Sequence, residues 1–162
     1  MARMATPLDT GDPMPELMVD TVAHGRVDVP GVFGSRWGVL LLYHGHWCAY
    51  CARQLAAFQQ GMPELEYAGI GVVAASTDTE RGARRLAEIT GATFPIGYGL
   101  APIATASRLG AYYDEERGTL HATGFVVRPD ATIGVACYSS GNIGRLAWED
   151  VVRLVAFWER KI

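Results

Sequence analysis

The sequence lacks the features that define several large classes of protein. No run of 18 apolar residues occurs in its 162 residues, so no membrane-spanning helix is predicted. Three cysteines are too few for the disulfide framework of a small secreted domain. The 14 Lys and Arg residues are scattered and outnumbered by 17 acidic residues, which argues against a nucleic-acid-binding surface. No internal repeat and no low-complexity segment is present.

What remains is the composition of an ordinary globular chain, with 49% hydrophobic and 19% charged residues. This length favours one domain, and we predict a single domain over residues 1–162. Residues 1–16 are rich in Pro, Gly and Asp and are expected to form an irregular lead-in. The first residues lack an apolar signal-peptide core, so a cytoplasmic location is the expectation.

A Cys-x-x-Cys pair stands at the centre of the most informative stretch, residues 44–51 (HGHWCAYC). An apolar run at 38–43 precedes it, with the length of a buried strand. Residues 52–60 follow it with helical spacing. A pair of thiols at the end of a strand and the start of a helix is typical of a redox dithiol rather than of two structural cysteines.

The position of the pair also predicts its chemistry. The first helical turn has unpaired N–H groups and the positive end of the helix dipole, and both favour a thiolate. Cys51 shares a 4, 3, 4 spacing with later apolar residues and is therefore expected to face the core, whereas Cys48 precedes that face. We assign Cys48 as the attacking thiolate and Cys51 as the resolving thiol.

The order of the remaining segments predicts an α/β fold. The strand at 38–43, a helix at 48–61 and a second apolar strand at 69–76 make a βαβ unit. The expected architecture is a central mixed β-sheet with helices on both faces and an N-terminal β-hairpin. The other predicted elements are hairpin strands at 17–19 and 26–29, a helix that ends at Gly91, a short helix at 102–109, a hairpin at 123–128 and 132–138, and a last helix from about Leu146.

These segments, taken in order, resemble the thioredoxin superfamily, and within it the alkyl hydroperoxide reductase/thiol-specific antioxidant (redoxin, peroxiredoxin-like) branch. The resemblance lies in residues 11–17, 41–51, 75–80 and 125–133 and covers nearly the whole chain. It implies a thioredoxin-like fold. It also implies an oxidoreductase that works without a metal or an organic cofactor.

The chain departs from the branch around the thiols. Standard peroxiredoxins carry Pro-x-x-x-Thr-x-x-Cys. An alignment through Gln54 places Cys51 on the peroxidatic cysteine, Cys48 on the Thr and His44 on the Pro. That register makes Cys51 the nucleophile, whereas a Trp-Cys-x-x-Cys pair normally attacks with its first thiol, Cys48. The peroxide-holding Arg of the branch has no clear match at Ala122.

Further departures concern the surroundings of the dithiol. Arg128 and Arg145 are candidates for the missing arginine. The place of the cis-proline of thioredoxins, at residues 121–123, holds no proline. Four side chains are further candidates for supporting roles, as thiolate stabilisers, proton carriers or aromatic flanks of the thiols: His44, His46, Trp47 and Tyr50.

Three functions follow from this pattern. The first is a peroxidase that reduces hydroperoxides through a Cys48–Cys51 dithiol/disulfide cycle and is recycled by an external dithiol donor of thioredoxin or glutaredoxin type. The second is a thiol–disulfide oxidoreductase that acts on protein disulfides with the same residues. The third is a non-enzymatic redox sensor.

A homodimer is possible through the last helix. Cys137 is expected to be a core residue, and no metal is predicted although two histidines stand near the pair.

Overall fold

A computed structural model describes residues 2–160 of the protein. In chain order the elements are β1 (Ala2–Met4), β2 (Leu17–Thr21), β3 (Arg26–Val29), a 3-10 helix (Gly31–Phe33), β4 (Trp37–Leu42), α1 (Ala49–Gln60), α2 (Met62–Tyr67), β5 (Ile70–Ala75), α3 (Glu80–Thr90), β6 (Gly97–Tyr98), α4 (Pro102–Leu109), β7 (Tyr112–Asp114), β8 (Thr119–Leu120), β9 (Thr123–Val127), β10 (Ile133–Tyr138) and α5 (Trp148–Arg160).

A four-stranded sheet in the order β10-β9-β4-β5 forms the centre of the fold. β4 pairs parallel with β5 and antiparallel with β9, and β9 forms an antiparallel hairpin with β10. Every residue of β4 is buried. A strand covered on both faces needs apolar side chains at every position, which explains the unbroken apolar run in its sequence.

Two layers cover this sheet. Val39 and Leu41 of β4 face a core built with α1, α3 and α5, whereas Leu40 and Leu42 face a second core built with α4 and the β2–β3 hairpin. Side chains of a strand alternate between faces, so one strand holds both cores together. The predicted mixed sheet, helices on both faces and N-terminal hairpin are therefore confirmed.

The structure adds short elements that the sequence did not predict. Residues 1–16, expected to be irregular, include the strand β1, which pairs antiparallel with β7. β7 also pairs with β8, so these three strands make a separate small sheet. Gly61 ends α1 as expected, but a further short helix, α2, starts directly after it, with Pro63 in its first turn. Pro is tolerated there because the first N–H groups of a helix have no acceptor within the helix, so the missing N–H of Pro removes no helical hydrogen bond.

No helix among residues 2–160 has the length and apolar character needed to cross a membrane. Residues 1, 161 and 162 lie outside the part of the chain that the structure describes.

Candidate active site

The cysteine pair, Cys48 and Cys51, lies where the sequence places it, in the connection between β4 and the first turn of α1. Cys48 is the N-cap of α1, with an extended backbone (φ −87°, ψ 111°), and its Sγ accepts the backbone N–H of Cys51 at 3.3 Å. Cys48 is 8% exposed and Cys51 is fully buried. The predicted difference in exposure between the two thiols is therefore present, although Cys48 is also largely enclosed.

Two further donors point at the Sγ of Cys51. The backbone N–H of His44 lies 3.3 Å away, and Nη2 of Arg145 also lies 3.3 Å away. Burial raises the pKa of the Cys51 thiol, and its contact with Cys48 raises it further, whereas Arg145 and the His44 N–H act in the opposite direction. The net direction is upward, because a buried thiolate loses more hydration than these donors replace.

Arg145 is the one cationic side chain seen to donate to both sulfurs among residues 2–160. It belongs to the loop between β10 and α5, and its Nη2 lies 3.8 Å from the Sγ of Cys48. Its Nη1 donates to Oε1 of Gln54 at 2.9 Å, and its Nε donates to the carbonyl of Asn142 at 2.7 Å. Because each of the three guanidinium nitrogens donates to a partner, the group is held in place before any substrate arrives.

Arg128, the other candidate for this role, is placed elsewhere. Its guanidinium lies over the ring of Trp158, 4.4 Å from the ring centroid. It is also 5.8 Å from the ring centroid of Trp37, and the two indoles are stacked on each other. Arg128 therefore takes part in the packing of β4 against α5, and Arg145 is the arginine of the site.

His44 is buried beside the sulfurs. Burial lowers its pKa to about 4, and the positive charges of His121, Arg145 and Arg117 contribute in the same direction. The His44 ring meets the edge of the His121 ring, with centroids 5.0 Å apart. Nε2 of His44 and Nδ1 of His121 are both buried without a hydrogen-bond partner. His121, which the sequence suggested only as a turn residue, is therefore brought next to His44.

His46 is turned toward α3 rather than toward the thiols. Its backbone N–H and its Nδ1 both lie 2.8 Å from Oδ2 of Asp78, a buried carboxylate. Gly82 of α3 makes this approach possible, because a Cβ there would come within 2.5 Å of both side chains. His46 therefore has a structural role in joining the β4–α1 connection to α3.

The two aromatic candidates lie at the surface of the site. Trp47 is 51% exposed, and its indole covers Gly45, where a Cβ would come within 2.2 Å of the ring. Tyr50 is 42% exposed and carries the guanidinium of Arg53 above its ring. Both residues are neighbours of Cys48 in the sequence, and much of their surface is open to solvent.

The third cysteine, Cys137, was expected in the core, but it is half-buried on β10 and belongs to neither of the two cores. Its Sγ lies 3.7 Å from the carbonyl oxygen of Gly144, and burial raises its pKa. All three cysteines are free thiols in the structure.

Comparison with known proteins fits this arrangement. The family model described as the AhpC/TSA family matches residues 10–136. This chain belongs to the AhpC/TSA family. A peroxiredoxin of Treponema denticola is 28% identical over 151 residues, covering 90% of this chain and 71% of the relative. An alkyl hydroperoxide reductase C of Staphylococcus epidermidis is 26% identical over 115 residues, covering 70% and 61%.

Solved structures show the same fold for this AhpC/TSA chain. The AhpC of Enterococcus faecalis superposes with a TM-score of 0.78 at 21% identity, covering 95% of this chain and 93% of the other. The peroxidoxin BcpB of Mycobacterium tuberculosis gives 0.77 at 19% identity, covering 95% and 99%. The predicted thioredoxin-like fold is thereby confirmed.

The residues around the thiols differ from the pattern that the family resemblance predicts. Ala122, where the resemblance leads one to look for an arginine, is buried and carries no charge. The guanidinium on the two sulfurs belongs instead to Arg145, in the loop between β10 and α5.

Proposed function

We propose that this protein is a thiol-dependent peroxidase that reduces hydroperoxides through a Cys48–Cys51 dithiol/disulfide cycle. The observation that carries the proposal is the guanidinium of Arg145 on the sulfurs of a dithiol at a helix N-terminus. A positive group and unpaired backbone N–H groups favour the thiolate, which is the reactive form. Relatives named peroxiredoxin and alkyl hydroperoxide reductase C support the same chemistry.

In the first half of the cycle, the thiolate of Cys48 attacks one oxygen of the hydroperoxide. The O–O bond breaks, the sulfur takes the oxygen as a sulfenic acid, and the other oxygen leaves as an alcohol or water after it gains a proton. The thiol of Cys51 then attacks the sulfenic sulfur. A disulfide forms, and water leaves with the thiol proton and the sulfenic hydroxyl. An external dithiol is oxidised when it reduces this disulfide.

Exposure and electrostatics support Cys48 as the attacking thiol. Cys51 is fully buried, and its environment raises its pKa, so it is poorly suited to meet a peroxide from solvent. Cys48 is nearer the surface and its sulfur already accepts one backbone N–H of the helix. A second assignment, with Cys51 as the nucleophile, is favoured by the shorter contact of Arg145 with Cys51 and by the family register.

The proposal includes a small dithiol protein of thioredoxin or glutaredoxin type as electron donor. Trp47 and Tyr50, which stand on either side of Cys48 in the sequence, are large exposed aromatic side chains that such a partner can contact. Three free cysteines suit a reducing cytoplasm, which we propose as the location. A homodimer is also proposed, since Phe157 of α5 and Tyr67 of α2 are large exposed apolar side chains.

The deciding experiment measures the rate at which reduced, metal-free protein loses thiols to hydrogen peroxide, in parallel with Cys48→Ser, Cys51→Ser and the control Cys137→Ser. The expected result is a reaction much faster than that of free cysteine, abolished in Cys48→Ser and halted at the sulfenic acid in Cys51→Ser. The opposite pattern in the two variants would make Cys51 the nucleophile. Rates no better than free cysteine in every variant would refute the peroxidase, and insulin reduction would then test the disulfide oxidoreductase.

A further inference from the structure

Three side chains of the site together form a set of soft metal ligands. The ligand atoms of His44, Cys48 and Cys51 all lie within 4.8 Å of one another. They come from three adjacent pieces of backbone: the end of β4, the N-cap of α1 and the first turn of α1. Thiolate sulfur and imidazole nitrogen are the ligands that Zn²⁺ prefers in proteins.

A second observation points to a missing ligand at this place. His44 is more than nine-tenths buried, and its Nε2 has no hydrogen-bond partner, which is unusual for a buried polar atom. The ring of His121 packs against it and leaves its own buried Nδ1 without a partner as well.

We propose that the reduced protein binds one thiophilic divalent cation, of the Zn²⁺ type, through Cys48, Cys51 and His44, and that this cation competes with Arg145 for the two sulfurs. The inference rests on the proposed function in one respect, since the metal would hold the sulfurs that react with peroxide. The bound cation would block the peroxidase reversibly.

Small side-chain rotations bring the three ligand atoms to the separations that a bound Zn²⁺ ion requires. Around a tetrahedral ion, Zn–S bonds of about 2.3 Å and Zn–N bonds of about 2.0 Å hold the ligand atoms about 3.5–3.8 Å apart. The ligand atoms, which now lie within 4.8 Å of one another, must therefore move closer by at most about 1 Å. Each thiol gives up its proton to solvent, and each sulfur forms one bond to the metal, with no change of oxidation state. The remaining coordination position of a tetrahedral ion goes to water.

Arg145 is the feature that opposes the metal. Its guanidinium lies 3.3 Å from the Sγ of Cys51 and 3.8 Å from the Sγ of Cys48. A divalent cation bound to both sulfurs would be repelled by this positive charge, so the two cannot contact the sulfurs together. Metal binding therefore requires the guanidinium to move away from the thiols. The same movement removes the group that promotes the thiolate. Oxidation of the pair to a disulfide removes two ligands and releases the metal.

The test uses Co²⁺ as a spectroscopic probe and Zn²⁺ in competition with a coloured chelator, both with the full-length reduced protein. One Co²⁺ per chain should give thiolate-to-metal charge-transfer bands, which disappear when the protein is oxidised. Loss of a ligand in Cys48→Ser, Cys51→Ser, His44→Asn or His44→Gln should weaken Zn²⁺ binding by about 100-fold or more, since even changes outside the ligand shell cost 10- to 100-fold.

Arg145→Met should instead tighten Zn²⁺ binding, by about tenfold, because it removes the competing charge. Cys137→Ser and His24→Asn serve as matched controls and should bind as the parent protein does. His24 is an exposed histidine in the turn after β2. Unchanged affinity in both His44 variants, loss of the Co²⁺ spectrum in Cys137→Ser, or unchanged affinity in Arg145→Met would each overturn the proposal.

Failure of this inference is distinguishable from failure of the peroxidase. Protein that reduces peroxide in the presence of chelator, but gives no thiolate–Co²⁺ bands, overturns the metal site alone. Protein that gives those bands in the predicted variants, but reacts with peroxide no faster than free cysteine when metal-free, overturns the proposed function alone.

Discussion

Replacement of Arg145 by Met should slow the reaction with peroxide more than any other change that leaves both cysteines intact. The Arg145 guanidinium donates to the sulfurs from 3.3 Å and 3.8 Å. A hydrogen bond to a charged group is worth about 1.5–3 kcal/mol. Loss of that amount from the transition state lowers the rate about 10- to 150-fold. Lys at this position keeps the charge but not the planar guanidinium, so the rate of Arg145→Lys should lie between those of the parent protein and Arg145→Met.

The measurement is a stopped-flow record of peroxide-dependent thiol oxidation between pH 5.5 and 9.5. Part of the rate lost in Arg145→Met should return at high pH, because removal of the guanidinium disfavours the thiolate and a higher pH restores it. Arg53→Met is the matched control, since this exposed arginine contacts the ring of Tyr50 rather than the thiols. A rate in Arg145→Met equal to that of Arg53→Met at pH 7 would refute this account of the site.

Three further predictions concern the contact between Gln54 and Arg145, the buried ring of Phe58 and the buried ring of His44. Gln54→Ala should lower the peroxide rate about tenfold, because Gln54 binds Nη1 of Arg145 and, through its Nε2, the Leu146 carbonyl; urea unfolding would show whether global stability is kept. Phe58→Ala should cost about 3–5 kcal/mol in the free energy of unfolding, since this ring is fully buried under the sheet; a change below about 1 kcal/mol would contradict that packing. His44, whose pKa burial lowers from 6.5 to about 4, should make stability fall as pH drops from 6.5 toward 4, because the unfolded chain binds the proton first. The loss is about 1–2 kcal/mol after allowance for solvent screening, and urea unfolding of His44→Asn should show a correspondingly flatter pH dependence.

The parts of the site that sequence reasoning found share one property: they are local. The apolar run of β4, the cysteine spacing and the helical pattern of α1 lie within 25 residues, so strand, cap and helix can be derived from neighbouring positions. The orientation of Cys51 toward the core follows from helical periodicity, and its full burial agrees with it. The fold class followed from the same kind of pattern, repeated along the chain.

The parts that sequence reasoning could not decide are long-range contacts. Arg145 lies 94 residues after Cys51, in a loop without periodicity, and nothing in the sequence ranks it above Arg128. The contact between His44 and His121 likewise depends on how β9 joins the end of β4. The strands β1, β7 and β8 are two or three residues long, which is too short for an alternating pattern. They pair with one another because the folded chain brings these distant segments together.

Arg145 shows what the chemistry of the site requires. A thiolate is stabilised by a positive group and by N–H donors close to the sulfur, whichever part of the chain supplies them. Arg145 reaches the sulfurs from a loop and is held there by hydrogen bonds to Gln54 and Asn142. A loop residue held by a few hydrogen bonds is easier to displace than a buried residue of the central sheet, because fewer buried contacts resist the movement. Arg145 is therefore held in position for a peroxide and can still be displaced by a cation, so both the proposed peroxidase and the proposed metal competition depend on it.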